Sequence, residues 1–221
     1  MPNQDPVKYA TAKAADTGEI IRLLGRVFSE SEPPAVAVGL SFREMEQFLS
    51  LFAPEAIALG LTTIARTEEQ GTPAGVLLTD DFAAPRAVDP RRISPKFLPI
   101  FAMLGTLDDQ FRQGKRVSVG EYLHLFMLGV APECAGRGIA QGLVADCLDT
   151  GLRAGYRAAV TEATGVISQR VFRKLGFTER FQISYRDFRY ERREVFSSIQ
   201  QHEAAILMDR LLAANSESHG V

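Results

Sequence analysis

The apolar positions of this chain change period several times along its length, and each change marks an element. Val7 to Ala12 reads as a strand, and Asp16 or Thr17 can cap a helix carrying Ile20, Ile21, Leu23, Leu24 and Val27. After Glu32-Pro33-Pro34, Ser41 and Glu44 form a capping box for a second helix through about Phe52. Leu61 to Arg66 and Ala74 to Thr79, joined by Glu68-Glu69-Gln70-Gly71-Thr72-Pro73, read as an antiparallel hairpin. Residues 80–92 read as a proline-containing loop, and Ser94 with Pro95 opens a helix to Phe111. The stretch from about 80 to 117 is long for a hairpin-to-strand link, so it is read as an insertion, a candidate lid or wall for a site.

Leu123 to Val130 is an apolar run read as a buried strand, and the helix after it carries Ile139, Leu143, Val144, Cys147, Leu148 and Leu152 before stopping near Gly155. A further strand ends at Glu162. The next helix carries Val171, Phe172 and Leu175, with Arg173 and Lys174 complementing its C-terminus and Gly176 as a left-handed cap. Phe181 to Arg189 is expected as a strand, Arg192-Arg193-Glu194 as a solvated turn, and about Ile199 to Leu212 as a last helix with Ile199, Ala205, Ile206, Leu211 and Leu212 inward. A tail from about residue 213 should fray. No repeat or linker divides the chain, which reads as a single α/β domain over 1–221.

Composition narrows the function classes. A chain of 221 residues, 46% hydrophobic and 24% charged, can bury one sizeable core. A net charge of −2 gives no electrostatic case for nucleic acid or an anionic membrane surface. No apolar run approaches the roughly 18 residues of a spanning helix. The first residues lack a basic and an apolar region, so the expected location is cytoplasmic. Cys134 and Cys147 make no disulfide framework and no metal-ligand spacing, and no metal is expected.

The candidate chemistry lies in Val130-Ala131-Pro132-Glu133-Cys134-Ala135-Gly136-Arg137-Gly138-Ile139-Ala140. Strand, glycine turn and helix together present unpaired first-turn N–H groups and the positive end of a helix dipole, which suits a phosphate. Gly136 and Gly138 let an anion approach the backbone, and Arg137 adds a charge. Gly136-x-Gly138-x-x-x-Gly142, with Glu162 as the ribose acid, is a candidate dinucleotide fingerprint, but five residues separate the strand's last apolar residue from the first glycine. A P-loop would need Lys-Ser or Lys-Thr where Ile139-Ala140 stands.

Val-x-Pro, a short loop and Gly-x-Gly-Ile-Ala resemble motif A of the GNAT superfamily of acyl-CoA-dependent N-acyltransferases. Ser168-Gln169-Arg170-Val171-Phe172-Arg173-Lys174-Leu175-Gly176-Phe177 is similar to its motif B. The resemblance implies a GNAT-type mixed, mostly antiparallel sheet flanked by helices. It implies acetyl-CoA as cosubstrate, its pyrophosphate cradled by Gly136, Arg137, Gly138, Ile139 and Ala140 and its thioester carbonyl meeting backbone N–H groups near Leu128 to Val130. The implied reaction is acetyl transfer to a primary amine by direct attack in a ternary complex, with a small-molecule partner and a monomer or homodimer as the assembly.

The chain departs from the family pattern in three places. Phe172 stands where many members carry a general-acid Tyr, Gly165 where an Asn is common, and Ala135 where motif A usually has Arg or Gln. Phe28-Ser29-Glu30-Ser31-Glu32-Pro33-Pro34 and Thr164-Gly165-Val166-Ile167-Ser168 look like the arylalkylamine (dopamine) N-acetyltransferase-like branch. By that resemblance Glu32 is the catalytic base and Ser168, with Thr164, orients or protonates the leaving group. Each also has a plainer role: Glu32 as a turn residue, Ser168 as a helix-terminal cap, and Thr164 as a structural hydroxyl. His124 is a strand histidine that could act as a base near neutral pH but is more economically read as packed, while Glu121 and Glu162 are further acids close to the site that ion pairing or solvent exposure explains more cheaply. Cys134 has no evident His partner for covalent chemistry. Two other readings stand beside the main one: a GNAT enzyme for a polyamine, amino acid, antibiotic amine or protein N-terminus, and an acyl-CoA-binding module without turnover.

Overall fold

The structure, a computed structural model, describes residues 6–85 and 89–212. Seven strands form one sheet: β1 Val7–Thr11, β2 Thr63–Thr67, β3 Pro73–Asp81, β4 Tyr122–Val130, β5 Ala158–Ala163, β6 Thr178–Ser184 and β7 Ala204–Leu211. Their order is β1-β2-β3-β4-β5-β7-β6, and β4 with β5 is the parallel pair among antiparallel neighbours. Only a helical crossover can join a parallel pair, and α5, Ile139–Arg153, makes it.

One face of the sheet is covered by α1 Thr17–Ser31, α3 Phe42–Ala58 and α4 Leu98–Arg112, whose Ile20, Leu24, Phe48, Leu49, Met103 and Leu107 share a core with Val76, Val160 and Leu207. The other face carries α5 and α6, Val166–Lys174, whose Leu143, Val144, Cys147, Val171 and Phe172 pack with Leu77, Leu123 and Ala159. A one-turn helix α2, Pro33–Ala37, links α1 to α3. Ser41 and Glu44 form the expected capping box, and α3 continues beyond Phe52 through Pro54 because Ala53, Ala56 and Ile57 extend its buried stripe.

Three expectations are corrected. The segment expected as a last helix contains β7, inserted between β5 and β6. Ala204 to Met208 is buried on both faces, and so short an apolar run carries no periodicity to tell strand from helix. The strand expected over Phe181–Arg189 ends at Ser184, where the chain leaves the sheet and Tyr185 turns into the core. Finally, the loop expected to begin at Asp80 begins later. Asp80 and Asp81 continue β3, and α4 buries Ile100, Met103, Leu107 and Phe111 as a full member of the core. Its N-terminal end still supplies a wall of the cavity described below. The tail expected to fray lies outside the described residues.

Candidate active site

Strands β4 and β5 pair at Tyr122, Leu123 and His124, and then part. Beyond His124 the β5 side of β4 faces a gap, crossed at its start by the Thr161 hydroxyl donating to the Leu125 carbonyl at 2.9 Å. Ala131 N–H donates to Ala74 on the β3 side at 2.9 Å. N–H direction alternates along a strand, so the Val130 and Leu128 N–H groups point away from β3, into the gap. The expected oxyanion donors are therefore turned toward an open cavity of about 410 Å³ that both residues line.

At one end of the gap is the glycine loop. Pro132–Cys134 makes a single turn, and Gly136 and Gly138 follow at φ of +76° and +75°. A Cβ at Gly136 would meet nothing within 4 Å, so the left-handed backbone, together with the space above it, is what glycine supplies. The first α5 bond runs from Gly142 N–H to Gly138 C=O, which leaves the N–H groups of Ile139, Ala140 and Gln141 without intrahelical acceptors. That concave row of donors fits a pyrophosphate. Ile139 itself is buried in the core behind the loop, so it contributes backbone. Arg137 lies beside Cys134 Sγ at 3.7 Å and near Tyr9. Gly142, the third glycine of the rejected dinucleotide pattern, has a packing role: a Cβ there would sit 2.2 Å from the Tyr9 hydroxyl.

The other polar residues gather where α1, α2, β5 and α6 meet. Glu32 ends α1 and caps α2, its carboxylate accepting from Ala35 N–H at 2.6 Å and from the Thr164 hydroxyl. Pro33 at the first helical position fixes the backbone so that the carboxylate caps α2 while lining the cavity. Burial pushes the Glu32 carboxyl up to about 7, against the opposing effect of those two hydrogen bonds. Tyr185 donates to the Thr164 carbonyl at 2.6 Å, and its own ionisation is pushed far upward by burial and by the Glu32 charge. Ser168 also lines the cavity, yet its hydroxyl donates to Gly165 C=O at 2.9 Å and accepts from Gly165 N–H at 3.4 Å, which starts α6. Phe172 is buried against Phe177, ring centroids 5.0 Å apart, with part of its surface on the cavity.

One residue of the site went unread in the sequence, and two that were read there gain their partners in the structure. His202, in the segment expected to be helical, accepts from Val166 N–H at 3.2 Å and lines the cavity. His124 is packed, as expected, but between two carboxylates, Asp80 at 2.6 Å and Glu162 at 2.8 Å. Glu162, read as paired or solvated, has its side chain 4% exposed and lines the cavity. The remaining wall is apolar, with Phe28, Phe48, Phe97, Phe101 and Phe126 beside aliphatic residues such as Met45, Ile100 and Leu104, and Phe48 and Phe97 centroids 4.7 Å apart. Among the described residues no group of His, Cys, Asp and Glu is arranged to hold a metal, and no helix is long and apolar enough to cross a membrane.

The model of the Acetyltransferase (GNAT) family matches residues 42–177. The chain belongs to that family. As a GNAT acetyltransferase it shares its fold with several solved structures. The C-terminal condensation domain of Ebony, in complex with beta-alanyl-dopamine, superposes with a TM-score of 0.85 at 14% identity, covering 93% of this chain and 99% of that one. Arylalkylamine N-acetyltransferase 2 from Aedes aegypti gives 0.78 at 24%, covering 94% and 99%. The polyamine N-acetyltransferase of Drosophila melanogaster, which forms N-acetylagmatine, gives 0.70 at 19%, covering 94% and 100%. The mixed, mostly antiparallel sheet flanked by helices is thus consistent with the GNAT fold, and the site chemistry of this member rests on its own residues.

Proposed function

We propose that this acetyltransferase moves an acetyl group from acetyl-CoA to a primary amine with an apolar body, of the arylalkylamine kind, by direct attack in a ternary complex. One observation carries the reading: a single cavity joins the unpaired β4 N–H groups to a carboxylate at about 7, under an aromatic wall. The donor set at Gly136–Gln141 fits the pyrophosphate of coenzyme A, and the gap beyond His124 leads from that loop to the cavity.

In this reading the acceptor enters as an ammonium ion, and Glu32 removes one proton to leave the nucleophilic amine. The carbonyl carbon forms its C–N bond while Leu128 and Val130 N–H groups receive the developing oxyanion. Collapse breaks the C–S bond, and the nitrogen's second proton reaches the thiolate through solvent. A thiol with a pKa of about 8.5 makes that last demand mild, which is why Phe172 can stand where an acid is common. Ser168 holds the start of α6 and thereby the floor on which the thioester sits.

Free CoA release measured across arylalkylamines, diamines, amino acids and a peptide N-terminus tests the assignment. Arylalkylamines should lead. No turnover on any amine, with CoA binding intact, would make the chain a binding module instead.

A further inference from the structure

The cavity contains a second carboxylate that this chemistry leaves unused. Glu162 on β5, His124 on β4 and Asp80 on β3 form a chain across three neighbouring strands, with side chains 4%, 1% and 9% exposed. Both ring nitrogens of His124 lie within hydrogen-bond distance of a carboxylate oxygen, 2.6 Å on one side and 2.8 Å on the other. Each bond needs a proton between its heavy atoms. The two bonds hold the three side chains in one row across the sheet. The row reaches the cavity at Glu162.

Part of the cavity wall near this row is aromatic. The Phe126 ring lies 5.4 Å from His124 and packs edge-on against Phe52 at 4.8 Å, and Phe126 and Phe48 both line the cavity. Ring faces and a carboxylate favour the same guest, a cation with an apolar body. Position matters as well. Thr164, whose hydroxyl holds Glu32, lies two residues beyond Glu162, just past the end of β5 and further from the point where β4 and β5 pair. Glu162 therefore lies deeper in the gap than the proposed base.

We propose that Glu162 is the station where the acceptor is recognised as a cation, with His124 and Asp80 as the positioning residues that hold its carboxylate. The proposal rests on reading the cavity as the amine site and assigns the ligand class bound there: an organic ammonium on an apolar body. The proton then passes from the ammonium nitrogen to the Glu32 carboxylate, so capture and deprotonation fall to different groups.

The test separates charge from shape, using phenethyltrimethylammonium and its uncharged isostere (3,3-dimethylbutyl)benzene, neither of which can be acetylated. Their dissociation constants for the full chain are measured by ligand-observed NMR, alongside thermal melts of each variant. The wild type should bind the cation at least tenfold more tightly. In Glu162→Gln that ratio should fall to within twofold, and in His124→Asn it should fall part of the way, whereas Glu32→Gln should retain most of it. A wild-type ratio within twofold overturns the proposal on its own, even if neither variant folds. So does a ratio unchanged in folded Glu162→Gln, or one abolished by Glu32→Gln alone. If neither probe competes with an amine that is turned over, the reading of the cavity itself fails, a different result from a cavity that binds both probes equally.

Discussion

Glu32 joins two roles that pull in opposite directions. Its carboxylate caps α2, which favours the charged form, yet burial pushes it up to about 7, close to where a general base works at neutral pH. Replacing it with Gln keeps the shape and removes the basicity. The value of kcat/KM should fall by about a hundredfold to ten-thousandfold, and the rise in activity on passing pH 7 should disappear from its pH profile. The same shift has a stability consequence. Between about 4.5 and 7 the folded protein keeps a proton that the unfolded chain has released, so this group's contribution to stability falls as pH rises through that window. Glu32→Gln should therefore raise Tm relative to the parent more at pH 8 than at pH 4, as thermal melts at the two pH values would show. Phe172 and Ser168 form the contrasting pair. Phe172→Leu should cost about 1–2 kcal/mol of stability through lost packing on Phe177 and leave turnover within a few-fold of the parent. Ser168→Ala should cost about 1 kcal/mol by releasing the Gly165 carbonyl and N–H, with CoA affinity unchanged by titration calorimetry. A folded but inactive Phe172→Leu protein would reverse these roles.

At the scale of elements, the N-terminus of α5 is the part whose local chemistry carries most of the proposed donor site. Gly138 stands at its cap in the left-handed region, with Gln141 Oε1 at 3.9 Å the only atom near an added Cβ. Gly138→Ala should therefore cost about 1–2 kcal/mol in backbone strain, without a steric clash inside the protein. A methyl group on the pyrophosphate side should weaken CoA further than that. Melting and calorimetric titration, run on the same sample, check both numbers, and unchanged CoA affinity would remove the loop from the donor site. The junction of β4 and β5 is built differently. There the backbone ladder stops after His124 and Val160, and two side-chain bonds, Thr161 to Leu125 and Glu162 to His124, continue the tie across the widening gap.

For the whole molecule, the closeness of α1 to the sheet links stability to the site. A Cβ at Gly129 on β4 would lie 2.7 Å from the fully buried Leu24 Cδ2, and α1 ends in Glu32. Gly129→Ala should push α1 outward, lowering stability by about 1–3 kcal/mol and Tm by roughly 2–4 °C for each kcal/mol. It should also lower kcat/KM, because Glu32, the proposed base, moves with the helix. Activity equal to the parent in a destabilised Gly129→Ala protein would show that Glu32 is held by Thr164 and Ala35 alone. The glycine loop, the capping box at Ser41 and Glu44, the helix end at Gly176 and the Glu32-Pro33 turn were legible in the sequence, because each is specified by backbone chemistry within a few neighbouring residues. The central place of β7 was not, since a fully buried strand has no polar face to give it a period. Neither was the Asp80–His124–Glu162 chain: its bonds join residues 44 and 38 positions apart, on strands whose order no local pattern specifies. The glycine loop proposed to bind a phosphate is a property of adjacent residues, whereas the elevated carboxyl of Glu32 and the hydrogen-bonded row ending at Glu162 exist only once distant elements close around them and exclude water.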